Sequence, residues 1–402
     1  MTGHSLREIR ITRAGRYWLA IGAIALAACS NGESPGGPPE DGADMSNYVA
    51  IGTSVSMGVA SDGVVQSSQE SAWPALLAAA VGASFTLPRI AAPGCKPPLV
   101  APLINFRRAD NSTLFDSSTC APNVAGVTLP AQNVAVSGAT AAEAVAVTPA
   151  ASQNPLYSRV LLPQQTQLTA MLSKSPTFVS VELGAGELLP AMSGVVTSAV
   201  PFAVFSTAYD AVIAGVKSSG AQALLALLPT DLRKFPSIRT AAEIWAQRAA
   251  FATRNIAVNS DCSTSTNYVS LQGRLAPSII TAAIRAAAGL GPLDLSCANV
   301  AGAADGILTE ADMTALNAQV AQMNAAILAH ANANGYATFS LGALYDIAKD
   351  GVVFDLNAVL TSSTPFGTLI SLDGIHPTAA VQAVLATAAR AGIIQTYGSI
   401  EN

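Results

Sequence analysis

Ser54, Asp373 and His376 are the residues of this chain whose types and surroundings could do chemistry together. A serine hydroxyl is a weak nucleophile until a base takes its proton, and a histidine serves as that base when a carboxylate fixes its tautomer. Ser54 stands in Asn47-Tyr48-Val49-Ala50-Ile51-Gly52-Thr53-Ser54-Val55-Ser56-Met57-Gly58. There an apolar, β-prone run breaks at Gly52, presents a serine two residues later, and reaches Gly58, which can cap or bend the next segment. His376 stands in Leu372-Asp373-Gly374-Ile375-His376-Pro377, where a carboxylate three residues earlier lets one turn deliver both groups. The chain has two other histidines. His4 lies in an N-terminal segment with the pattern of a cleaved signal, and His330, in Ala-Ala-Ile-Leu-Ala-His-Ala-Asn, reads as an ordinary helix residue. The indicated chemistry is acyl transfer: Ser54 attacks, His376 takes its proton and Asp373 holds the ring.

Such a site needs a scaffold that brings Ser54 and the distant His376 to one rim. The run ending at Gly52, Thr177–Leu183, Ala221–Leu228 and Tyr336–Ser340 read as strands, and Gln132–Ala139 as a short apolar stretch ending in a glycine turn. Between them Ser71–Ala78, Ala199–Lys217, Thr240–Val258 and Thr309–Asn334 read as helices, with a last helix from Pro377. Strands alternating with helices predict an α/β fold with a mostly parallel sheet. In such sheets ligands bind outside the carboxyl ends of the strands. Ser54, Gly138 and Gly186 each fall just after a predicted strand, so the chemistry converges there. Residues 84–130, rich in proline, and 260–308 interrupt the alternation and read as excursions.

At 402 residues the chain suffices for one large domain or two small ones. Half of it is hydrophobic, only 11% is charged, and the net charge is −5. With no basic cluster, this composition argues for a large buried core and against nucleic acid as a partner. Arg7, Arg10, Arg13 and Arg16 precede a short apolar run from Tyr17 to Ala25, then Leu26-Ala27-Ala28-Cys29. That run is too short for a bilayer core of about 30 Å. The pattern is that of a bacterial lipoprotein signal: residues 1–28 are expected to be removed and Cys29 lipidated. Residues 29–46 would tether a folded domain over 47–396 to the cell envelope, on the extracytoplasmic side and at the outer membrane. Gly32-Glu33-Ser34-Pro35-Gly36 matches a nucleophile elbow in letters only, because it lies in that polar tether and not between a strand and a helix. Cys95, Cys120, Cys262 and Cys297 remain, an even number that suggests disulfides. Nearest-neighbour pairing would close two loop regions, although three connectivities are open. No pair has zinc-ligand spacing, and no metal is expected.

Gly52-Thr53-Ser54-Val55-Ser56-Met57-Gly58 resembles the first block of the SGNH, or GDSL-type, hydrolases. Asn133-Val134-Ala135-Val136-Ser137-Gly138-Ala139 resembles their second block, Leu183-Gly184-Ala185-Gly186-Glu187 lies where the third would fall, and Asp373-Gly374-Ile375-His376-Pro377 matches the fifth. The four occur in the family's order. The resemblance implies a three-layer α/β/α sandwich of flavodoxin-like type and hydrolysis of a carboxylic ester, with no cofactor. Its substrate would be a small-molecule, lipid or acylated-glycan ester. It assigns Ser54 as nucleophile, Asp373 and His376 as its partners, and the N–H groups of Ser54 and Gly138 as oxyanion donors. Two positions depart from the pattern. Thr53 replaces an aspartate that supports the turn, and Gly186 replaces the oxyanion asparagine, with Glu187 beside it. Loss of one such donor typically costs about 10²–10³ in turnover, so a catalytically weak or inactive binding lipoprotein is the alternative. Glu182 and Glu187 read as structural or rim residues, with Glu187 able to influence substrate charge preference.

Overall fold

A computed structural model describes residues 42–402 apart from 115, 117, 118 and 351. The expected signal segment 1–28, Cys29 and most of the tether lie outside the described residues. The end of the expected tether belongs to the fold: Ala43–Asp44 pairs in parallel with Ile400–Glu401, and Ala43 and Met45 are fully buried.

Four strands form the central sheet: β1 (Tyr48–Gly52), β2 (Phe178–Glu182), β3 (Gln222–Leu227) and β4 (Ala337–Ser340). Their order is β4-β3-β2-β1, and every pairing is parallel. Residues 132–136 continue the sheet beyond β1, because Ala50 donates to the Gln132 carbonyl while Val134 and Val136 donate to those of Ala50 and Gly52. The chain thus steps outward from β1 to 132–136 and then returns to β1's other side as β2. That is the flavodoxin-like strand order, and the cleft forms where the direction reverses.

β1 and β2 are buried at every position, as parallel strands covered on both faces must be. Helices Gln167–Leu172, Phe202–Ser219 and Glu310–Asn334 pack together on one side, and Trp73–Val81 packs with Ala379–Tyr397 on the other. This is the expected three-layer α/β/α sandwich. Ala379–Tyr397 approaches β4 so closely that a Cβ on Gly392 would sit 2.3 Å from the Thr338 carbonyl oxygen.

Both excursions are closed as nearest-neighbour pairing suggested, by Cys95–Cys120 and Cys262–Cys297. Two disulfides fit an oxidising, extracytoplasmic compartment. The expected helix over 240–258 is instead two short helices, Ala241–Ala246 and Arg248–Ala252, followed by a strand, Ile256–Val258. Asn255, with φ 59°, turns the chain out of the helix, and the strand pairs in parallel with Leu293–Leu295.

Candidate active site

β1 ends at Gly52, and Ser54 opens a single helical turn, Ser54–Met57, closed by Gly58 at φ 85°. A buried carboxylate from the end of β2 holds this turn. Glu182 accepts from the Thr53 and Ser56 amides, both at 3.0 Å, and from the Thr53 hydroxyl at 2.8 Å. It caps the otherwise unpaired amides at the start of a helical turn, the place where a negative charge is most stabilising. Thr53 and Ser56 thus tie the turn to β2, and Thr53 can stand here because the carboxylate arrives from that strand. Burial raises the pKa of Glu182 despite these donors. Sequence reading left Glu182 without a site role. Its one local signal is a charged residue at the end of an otherwise uncharged strand.

Asp373 and His376 approach from the other end of the chain, on the loop before Ala379–Tyr397. His376 Nδ1 lies 2.8 Å from Asp373 Oδ2. The Asp373 carboxylate also accepts from the amides of His376 (2.8 Å), Ile375 (2.9 Å) and Asp62 (2.6 Å), and from the Ser371 hydroxyl (3.2 Å). Burial would raise its pKa, but the His376 charge and these donors hold it at about 2. The charged aspartate fixes the proton on Nδ1 and leaves Nε2 as the acceptor.

Asp62 is a second residue that sequence reading missed. Ser61 and Asp62 occupy the left-handed region, with φ 54° and 57°, at the tip of a two-residue hairpin between Ala60 and Gly63. Non-glycine residues are costly there. The turn is held by Ser61 N–H donating to Ser371 Oγ, and by Arg108 and Lys96 pairing with the Asp62 carboxylate.

His376 Nε2 is buried and has no hydrogen-bond partner. Ser54 and His376 share the wall of one cavity, and Ser54 does not hydrogen-bond the ring. Such contacts are often long before substrate binds. Apart from Glu182, the rest of this cavity is largely apolar, with Leu188, Leu228, Phe235, Val320, Leu341 and Tyr345 among its walls. His376 also walls a second, more polar cavity with Asp62, Lys96, Thr119, Ser137 and Asn154.

Gly138 follows the 132–136 segment at φ 81°. The Ser54 and Gly138 amides make no hydrogen bond with other described residues, so both remain available as donors. Gly186 packs against the segment that carries Gly138: a Cβ on it would sit 2.2 Å from the Ala139 carbonyl oxygen. Any residue with a Cβ, asparagine included, would require that segment to shift. Glu187 is not a rim residue. It is fully buried, accepts from the Ala141 amide at 2.5 Å, and has a pKa pushed up to about 7 by burial. It does not line the apolar cavity and cannot set substrate charge preference there. His330 bonds Asp210 at 2.7 Å on the outside of the Glu310–Asn334 helix, away from the site.

Burial alone would lower the His376 pKa below its ordinary 6.5, but the Asp373 charge and hydrogen bond outweigh it and hold the ring above that value. His376 therefore accepts a proton freely only above a pH that exceeds 6.5. An NMR titration of the His376 imidazole is expected to give a midpoint above 6.5 in the parent. In Asp373→Asn, where burial is opposed only by the more distant Asp62 and Glu182 charges, the midpoint should fall from the parent's value; an unmoved midpoint would contradict this account. Stability obeys the linkage signs. The lowered Asp373 pKa contributes stability present above 3.8 and lost as pH falls through about 2. The raised His376 pKa contributes stability present below 6.5 and lost as pH rises through its folded value.

No family model matches the chain, and no curated protein matches it. Among solved structures it is similar to a GDSL-like lipase from Parabacteroides merdae, at 9% identity and TM-score 0.39, over 90% of this chain and 99% of that one. It is also similar to an extracellular lipase from Streptomyces rimosus, at 15% identity and TM-score 0.36, over 86% of this chain and 99% of that one. At such values neither likeness bears on the chemistry of the site.

Proposed function

We propose that this chain is a serine hydrolase of carboxylic esters, with Ser54 as nucleophile, His376 as general base and Asp373 as the group that orients it. The reading is carried by one observation: a charged, buried aspartate holds His376, whose Nε2 has no hydrogen-bond partner, in the wall of the cavity that Ser54 also lines. In the forward step Ser54 Oγ bonds to the ester carbonyl carbon while its proton passes to Nε2. The carbonyl oxygen becomes an oxyanion, for which the Ser54 and Gly138 amides are the available donors. Collapse breaks the bond to the alcohol, which leaves with the proton from Nε2. Water, deprotonated by the same nitrogen, then releases the acid. The acyl group stays bonded to Ser54 and so occupies the apolar cavity, which favours an apolar acyl chain. The leaving alcohol departs past His376 into the polar cavity.

Lipidation of Cys29 after removal of residues 1–28 completes the proposal and rests on the sequence pattern. It would place the hydrolase on the envelope beside lipid or glycan esters. A serine-reactive fluorophosphonate is expected to add its phosphonyl group to Ser54, read by peptide mass spectrometry, and to leave Ser54→Ala unmodified. A folded parent that neither labels nor cleaves short-chain p-nitrophenyl esters would instead fit a non-catalytic binding lipoprotein, with the missing oxyanion donor at Gly186 as the reason.

A further inference from the structure

The two cavities that meet at His376 differ in size and in chemistry. Ser54 and His376 both line the first, of about 40 Å³. A water needs about 10–15 Å³ of such space, so this cavity holds about three or four groups of that size. Its walls include Leu188, Leu228, Phe235, Val320 and Tyr345, core side chains each no more than 5% exposed. A packed core does not widen without rearrangement. An acyl group bonded to Ser54 therefore fits there with about one to three carbons beyond its carbonyl.

The second cavity, about 250 Å³, is about six times larger and is lined by His376 but not by Ser54. That is the side of the leaving alcohol, and a sugar ring fits within it. The excursion closed by Cys95–Cys120 supplies Lys96 and Thr119 to its wall. Lys96 is half exposed, and its Nζ contacts the Asp62 carboxylate at 3.3 Å, which leaves at least one of its three protons free. The Ser137 hydroxyl is accessible and has no hydrogen-bond partner among the described residues. Asn154 donates one amide proton to the Ser137 carbonyl at 2.9 Å, and Thr119 donates its hydroxyl to Asp110 at 2.9 Å, leaving the threonine oxygen able to accept. Donors and acceptors thus share one wall. Alcohol hydroxyls, each both donor and acceptor, match it. An anionic alcohol would face the Asp62 carboxylate, and an apolar one would strip water from these groups without replacing it. Resting on the esterase reading, we infer that the substrate is an ester of an acid of about two to four carbons with a polyhydroxylated alcohol the size of a monosaccharide. Lys96 and Ser137 set the choice of alcohol. Water adds across the acyl C–O bond: its hydroxyl leaves with the short acid and its proton with the freed alcohol.

The test compares kcat/KM of the full chain on matched esters. From p-nitrophenyl acetate and butyrate to p-nitrophenyl octanoate, kcat/KM is expected to fall by roughly tenfold or more. Methyl 6-O-acetyl-glucoside is expected to exceed cyclohexylmethyl acetate, which has a ring of similar size and no hydroxyls, by roughly tenfold or more. Lys96→Met and Ser137→Ala should each lower the ratio between these two acetates by roughly threefold or more. Both esters are read on the same variant, so any change in the catalytic turn cancels in the ratio. The comparisons on the parent need no variant at all. An octanoate rate equal to or above that of butyrate, a ratio near one for the two acetates, or a ratio that neither variant moves would each overturn the inference. A parent that the fluorophosphonate labels at Ser54 but that shows any of these outcomes keeps the esterase reading and loses the substrate class. A parent that is not labelled loses both.

Discussion

Ser54→Ala is expected to lower kcat for a short-chain p-nitrophenyl ester by roughly 10⁴–10⁶-fold, and His376→Ala by a similar factor, with the double variant no worse than either single one. The non-additivity is the informative part. Ser54 is a poor nucleophile without an acceptor for its proton, and Nε2 of His376 has no proton to take without Ser54, so removing either disables the same step. The fold should tolerate both changes. Ser54 makes no side-chain hydrogen bond within the described residues, and the turn that carries it is anchored through Thr53 and Ser56 on Glu182. Steady-state kinetics beside a thermal melt would check this. Ser54→Ala protein that melts normally and keeps the parent rate would remove the nucleophile assignment, while two losses that multiply would place the residues in separate steps.

The parts of this site that are legible in the sequence are those held by local chemistry. Tyr48 to Gly52 is apolar at nearly every position because both faces of β1 are covered, and its break before Ser54 marks the strand end. The i, i+3 spacing of Asp373 and His376 closes its own hydrogen-bonded turn. Disulfide pairing between neighbours arises from excursions that leave and return at the same place. The features that escaped depend on partners far along the chain. Glu182 acts on a turn about 130 positions earlier, and the Asp62 amide reaches a carboxylate 311 positions away. No local pattern announces either. The strand Ile256–Val258 is hidden for the same reason: its helical-looking run is overruled by pairing with Leu293–Leu295, delivered by the disulfide-closed excursion. In the sequence, Thr53 and Gly186 look like two independent defects. In the fold the first is offset by Glu182 and the second packs against Ala139.

The Ala139 contact makes Gly186→Asn the most discriminating single change away from the catalytic pair. If the glycine were simply a lost donor, asparagine would restore it and raise turnover toward the 10²–10³-fold that one oxyanion donor typically supplies. The packing predicts the reverse. A Cβ at 186 would sit 2.2 Å from the Ala139 carbonyl oxygen and 2.7 Å from its carbonyl carbon, contacts with backbone that no side-chain rotation relieves. The segment must move, and it carries Gly138, whose amide is the second available oxyanion donor. Overpacking of this kind costs about 1–3 kcal/mol, and displacement of Gly138 should remove about 10²-fold or more from kcat. Gly186→Ala separates the two causes, because it brings the same Cβ collision without a donor and should lose stability and rate nearly as much. Thermal melts and kcat of the two variants side by side would decide. A faster Gly186→Asn enzyme with an unchanged melt would mean that the 138–139 segment yields readily and that the glycine is a vacancy, not a packing requirement.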